Sequence, residues 1–214
     1  FHVLAPDLFG HGLSSKVDSL TLETWQNQIN EILYQLDISQ VILVGVSMGG
    51  VIAQSYAMHF PEKISRLVLS DTFGELETLQ EKMLGFSQVI GFQLYKILGG
   101  KLLAKGMASA YKAPYAALAK DYFSKVSLTV DFDQLILARK AINTINAIGK
   151  IDGNSLPTLV MVGDQFGKLF VDINQKISDG INGSDFFIIE NSMDPSNLVN
   201  PKAFNQKLLE FCVR

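Results

Sequence analysis

The sequence predicts an α/β fold in which a mostly parallel sheet is covered by helices on both faces. Three observations carry that expectation. Short, continuous apolar strands alternate with helix-length segments towards both ends of the chain. A glycine-rich turn joins one of those strands directly to a helix. Between the alternating stretches, from Phe73 to Gly149, strand-like runs stop and Leu, Phe, Tyr and Met recur at helical spacing. The expected organisation is a core of 1–72 and 150–214 carrying a helical cap, 73–149.

Composition narrows the class. The 214 residues suit one domain with a large insertion, and 48% hydrophobic against 18% charged residues suits a sizeable buried core. With 18 Lys+Arg against 21 Asp+Glu and no basic run, the chain lacks the clustered cations that nucleic acid demands. Its single cysteine, Cys212, excludes an intramolecular disulfide, so a soluble, cytoplasmic protein is expected. Val41 to Met58 holds no charged residue, and its 18 positions could cross a bilayer. Gly45, Ser47, Gly49 and Gly50 interrupt it midway, however. A buried strand, a tight turn and a buried helix account for it better than a membrane span.

Each element has its own signal. Phe1 to Ala5 is a short apolar run stopped by Pro6-Asp7, which predicts a strand entering a loop, Asp7 to Ser15. Thr21 can cap a helix whose first turn holds Glu23 and whose stripe is Leu22, Trp25, Ile29, Leu33 and Leu36. Val41–Val44 is a second strand, and a helix from about Gly49 to Phe60 ends at Pro61. Ile64–Leu69 and the run from Leu156 to Gly163 are further strands, separated by the helical cap. A helix around Val171–Ile181 leads to a strand at Phe186–Ile189. Asn200 then caps a last helix with Pro201 first and Phe204, Leu208 and Phe211 on one face.

Gly45-Val46-Ser47-Met48-Gly49 fits the G-x-S-x-G nucleophile elbow, and its strand–turn–helix context is the one this chemistry requires. A sharp turn strains the serine, and the flanking glycines keep Cβ atoms away from the adjacent strand and helix. Ser47 Oγ then projects at the sheet's C-terminal edge, where the Met48 N–H meets a developing oxyanion. The plain alternative is a glycine-rich turn holding an idle serine.

On these residues the chain resembles the α/β-hydrolase superfamily, particularly its small capped esterase, lactonase and haloperoxidase-like members. Ala5-Pro6-Asp7-Leu8-Phe9-Gly10-His11-Gly12-Leu13-Ser14 is similar to the loop after that family's fourth strand. Val41 to Gly50 matches its fifth strand and elbow, Pro61 to Thr72 its sixth strand, Pro157 to Asp164 its seventh, and Asn200-Pro201 its last helix. The resemblance implies hydrolysis of an ester, lactone or thioester through an acyl-Ser47 intermediate, with no cofactor and no metal. It implies a small apolar acyl or ester ligand, no nucleic-acid partner and no membrane.

The same resemblance exposes departures. A serine nucleophile needs a base, and the base needs an orienting acid. The family's acid position after the seventh strand holds Phe166 here, and its histidine position, in Asn191-Ser192-Met193-Asp194-Pro195, holds Asp194. A carboxylate replaces imidazole near pH 7 only if its pKa is raised greatly. His2 and His59 lie away from the elbow, His59 about three helical turns beyond it. His11 is the one histidine near enough to weigh as a base. Asp71, just past the sixth strand, stands where some members, including haloalkane dehalogenases, draw their acid; many others keep a non-catalytic Asp there. Asp164 reads as a turn residue.

The family also places three strands and half of its oxyanion hole ahead of the A-P-D strand, and none precedes Phe1. The chain is therefore expected to be part of a longer protein, to be completed by a preceding segment or second chain, or to have re-paired its strands. Asp7 and His11 lack a third metal ligand, and Asn182-Gly183-Ser184 reads as a chance glycosylation pattern.

Within the cap, Met83, Leu84, Phe86, Val89, Ile90, Phe92, Leu94, Tyr95, Ile97 and Leu98 are densely apolar. They suit the underside of an acyl pocket, simple packing among cap helices, or a partner or membrane face. Three functional readings follow: a serine ester hydrolase, a non-catalytic pseudo-hydrolase that binds a small apolar ligand or a protein, and a truncated or altered derivative of an active enzyme.

Overall fold

The computed structural model describes residues 1–214, and its centre is a parallel sheet whose four strands lie side by side in chain order. These are β1 (Val41–Val46), β2 (Ile64–Ser70), β3 (Thr158–Gly163) and β4 (Asp185–Ile189). Helix α1 (Leu22–Gln35) precedes the sheet and α2 (Met48–His59) follows β1. Between β2 and β3 come α3 (Leu79–Leu98), α4 (Gly100–Ala110), α5 (Ala117–Val126) and α6 (Phe132–Ile142). Helix α7 (Lys168–Asp179) follows β3, and α8 (Ser196–Val199) and α9 (Pro201–Cys212) follow β4.

Strand alternation sorts the core into two faces. Leu67, Leu69 and Val160 pack with Ala53, Tyr56 and Ala57 of α2 and Ile177 of α7. Val68, Leu159, Met161 and Ile189 point the other way, onto Phe204 and Phe211 of α9. The registers Leu69↔Val160 and Val160↔Phe186 keep each set on its own side. Central β3 is buried throughout, as a strand covered on both faces must be.

Thr21 caps α1 as expected: its Oγ1 accepts from the Thr24 N–H at 3.2 Å, and Thr24 Oγ1 accepts from the Thr21 N–H at 3.2 Å. Trp25 and Leu33 are buried, whereas Leu36 lies beyond the helix and is exposed. Asn200 Oδ1 likewise accepts from Ala203 N at 3.3 Å to open α9. No helix is long and apolar enough to cross a membrane, because the Val41–Met58 run breaks into β1, the turn and α2.

Several expectations are corrected. Phe1–Ala5 forms no strand; it is exposed and unpaired, since strand structure needs a hydrogen-bonded neighbour and none reaches it. Val41–Val44 is a strand but not a buried one: Val44 is 40% exposed, because β1 pairs only with β2 and forms the sheet edge. The strands have not re-paired around that edge. Helix α7 starts at Lys168, three residues before the expected Val171, with Gly167 at φ 97° before it. Between the two alternating stretches, Glu75 and Asn146 form an antiparallel bridge that ties together the chain entering α3 and leaving α6.

Candidate active site

Parallel strands end together, so their C-terminal loops converge at one edge. Val46 pairs with Ser70, and Ser70 with Met161. Gly163 in turn pairs with Ile189. The residues that follow those ends are Ser47, Asp71, Asp164 and the segment Glu190–Asp194.

Ser47 sits at φ 54°, ψ −118°, a strained conformation for a residue with a side chain. Its surroundings hold it there. The Ser47 N–H donates to Ser70 O at 2.9 Å, and its carbonyl accepts from Gly50 N at 3.0 Å and from Thr72 Oγ1 at 2.8 Å. A Cβ on Gly45 would lie 2.3 Å from the Gly49 carbonyl oxygen, and one on Gly50 would lie 2.6 Å from Thr72 Cβ. Gly49, expected to be sterically required, faces open space instead. The Met48 amide, first in α2, has no backbone acceptor and is free to meet an oxyanion.

Ser47 Oγ donates to Asp194 Oδ2 at 2.9 Å, across 147 residues of sequence. The Asp194 carboxyl is enclosed: Oδ1 is sealed from solvent without a hydrogen-bond partner. Burial, and then the nearby negative charge of Asp71, push its pKa up to about 8, against the Ser47 hydrogen bond and the Arg139 charge. Tyr111, where α4 ends, donates its hydroxyl to the Asp194 carbonyl at 2.7 Å. Burial raises the Tyr111 hydroxyl pKa, with Asp194 and Asp71 adding to the shift, so it stays a protonated donor.

Asp71 is buried at φ 50° and does not touch Ser47 Oγ. It accepts instead from Gly163 N at 2.9 Å, Ser196 N at 2.7 Å and Ser70 Oγ at 3.0 Å. It thus pins the ends of β2 and β3 to the start of α8. Asp164 does turn work, accepting from Ser192 N at 3.2 Å. Phe166 is 42% exposed and packs against Phe170, with ring centroids 4.7 Å apart. No histidine contacts the pair. His11 Nδ1 lies 3.2 Å from Phe9 O, His59 Nδ1 lies 2.8 Å from Ser55 O, and His2 is exposed. No cluster of three His, Cys, Asp or Glu side chains could hold a metal ion.

The apolar run of the helical segment divides. Val89 is buried, but Met83, Phe86, Ile90, Leu94, Ile97 and Leu98 are exposed. From this segment Tyr111 bonds the Asp194 carbonyl and the Arg139 charge acts on the Asp194 carboxyl; neither residue was singled out by the sequence. Arg139 carries one legible signal, a cation directly after the apolar run Leu135–Ala138. Tyr111 carries none.

A family model described as the alpha/beta hydrolase fold matches residues 1–100. The esterase from Exiguobacterium antarcticum superposes with a TM-score of 0.80 over 97% of this chain and 80% of its own, at 20% identity. The chain has the α/β-hydrolase fold. In sequence it is 25% identical over 213 residues to 3-oxoadipate enol-lactonase 2 of Acinetobacter baylyi, covering 96% of this chain and 76% of that enzyme. An uncharacterised Mycobacterium tuberculosis protein is 40% identical over 75 residues, 35% of this chain. That alignment spans only 22% of the mycobacterial protein's length. An enol-lactonase thus stands among the sequence relatives of this chain, and an esterase among the structures that share its fold.

Proposed function

We propose that this chain is a serine-nucleophile hydrolase of carboxylic esters, lactones or thioesters, acting through Ser47. The observation that carries the reading is the strained Ser47 with its Oγ 2.9 Å from an enclosed carboxyl group. Ionised Asp194 accepts the Ser47 proton as Oγ bonds to the substrate carbonyl carbon, and the Met48 N–H receives the oxyanion. Collapse breaks the bond to the alkoxide or thiolate, which takes the proton back from Asp194. Water, deprotonated by Asp194, then attacks the acyl carbon; the C–Oγ bond breaks, Ser47 Oγ takes the proton back from Asp194 and the carboxylic acid leaves. Apolar Met107, Tyr115, Phe123 and Met193, packed about Tyr111, suit the small apolar acyl group this chemistry needs.

The base is ionised only above about pH 8, so activity belongs to the alkaline range. A fluorophosphonate probe is expected to label Ser47 at a rate that climbs through pH 8 and to leave Ser47→Ala unlabelled. The rival reading is a non-catalytic module binding a small apolar ligand or a protein partner. It is favoured by the absence of an imidazole beside Ser47 and by Phe166 at the orienting position. No labelling at pH 9 decides for it.

A further inference from the structure

Near the Ser47–Asp194 pair, whose carboxyl feels its charge, Arg139 makes no salt bridge. Its guanidinium lies 5.1 Å over the Phe73 ring, and its Nε is sealed from solvent with no hydrogen-bond partner. Burial lowers its pKa to about 10, with Asp194 opposing that shift; it remains a cation at neutral pH. The one charged group that acts on it, Asp194, is protonated below about pH 8 and does not neutralise it there. Two more sealed polar atoms without partners, Ser192 Oγ and Ser196 Oγ, flank Asp194 in the chain.

Arg139 is half-buried, and a partly desolvated cation without an ion-pair partner is costly to a fold unless it has a use. A guanidinium presents a planar fork that fits a carboxylate with two parallel hydrogen bonds. We infer that Arg139 holds a free carboxylate on the ligand whose carbonyl meets Ser47, so that the substrate class is an acyl ester, lactone or thioester with an acidic end. This inference rests on the Ser47 reading for the carbonyl, while the carboxylate contact stands on Arg139 alone. Lys140, the next residue, is exposed and serves as the control cation.

The test uses the full chain with Ser47→Ala, so that it measures binding without turnover. Monomethyl glutarate and neutral dimethyl glutarate are titrated calorimetrically at pH 7. The half-ester is expected to bind at least tenfold more tightly, Arg139→Met to abolish that preference, and Lys140→Met to keep it. Arg139→Lys, which preserves charge and loses the fork, is expected to retain part of the preference and covers the case in which Arg139→Met fails to fold. Equal affinities, no binding of the half-ester, or a preference unchanged in both Arg139 variants overturns the assignment. Absence of esterase activity in the unsubstituted chain overturns the hydrolase reading instead and leaves this result standing.

Discussion

The turn that carries Ser47 and the turn that carries Asp194 face each other across a single hydrogen bond, yet they are built oppositely. The elbow is strained but held: Ser47 N–H and C=O are both bonded, and Gly45 and Gly50 leave no room for side chains. The segment after β4 leaves Ser192 Oγ, Asp194 Oδ1 and Ser196 Oγ sealed without partners. Strain held by a satisfied backbone positions an atom. Enclosed polar atoms without partners carry a desolvation cost that the rest of the fold has to offset.

Substitutions break this contrast to different degrees. Ser47→Ala is expected to lower ester turnover by on the order of a thousandfold or more, since it removes the atom that both turns serve. Asp194→His with Phe166→Asp is expected to move activity from the alkaline range towards pH 7, read from kcat/KM profiles; an unchanged profile would mean that the second turn does not supply the base. Gly45→Ala is expected to destabilise the fold by about 3 kcal/mol, because its Cβ meets backbone rather than a side chain that can move.

Asp194→Asn probes the second turn through stability. In the folded chain the Asp194 proton is retained up to about pH 8, whereas unfolded Asp loses it near pH 4. The stability this group contributes is complete below about pH 4 and is lost as pH rises to about 8. Urea midpoints of the unsubstituted chain are therefore expected to fall over that window, and Asp194→Asn to flatten the fall. The smallest effect is expected at Gly49→Ala. Open space at that Cβ and the better helix propensity of Ala give a gain of up to about 1 kcal/mol by thermal unfolding.

The sheet's order of elements was legible because strand, turn and helix signals are local. Thr21, Pro61 and Asn200 mark helix boundaries within a few residues of where the chain uses them. The site was legible only in halves. Asp194 was visible as a residue standing where histidine was expected, but its bond to Ser47 depends on the adjoining ends of the parallel strands. Tyr111 and Arg139 escaped because their spacing is that of ordinary packed helix residues, and only the placement of α4 and α6 over the strand ends makes them part of a site.

By itself, the sequence determined the α/β alternation, the elbow and the two departures from the hydrolase pattern, since each is written in contiguous residues. The tertiary structure decided that β1 is an edge strand, that Phe1–Ala5 is not a strand, and that a carboxyl rather than an imidazole meets Ser47. The physical reason is common to all three. Strand pairing and desolvation are properties of what surrounds a residue, and those surroundings come from parts of the chain up to 147 positions away.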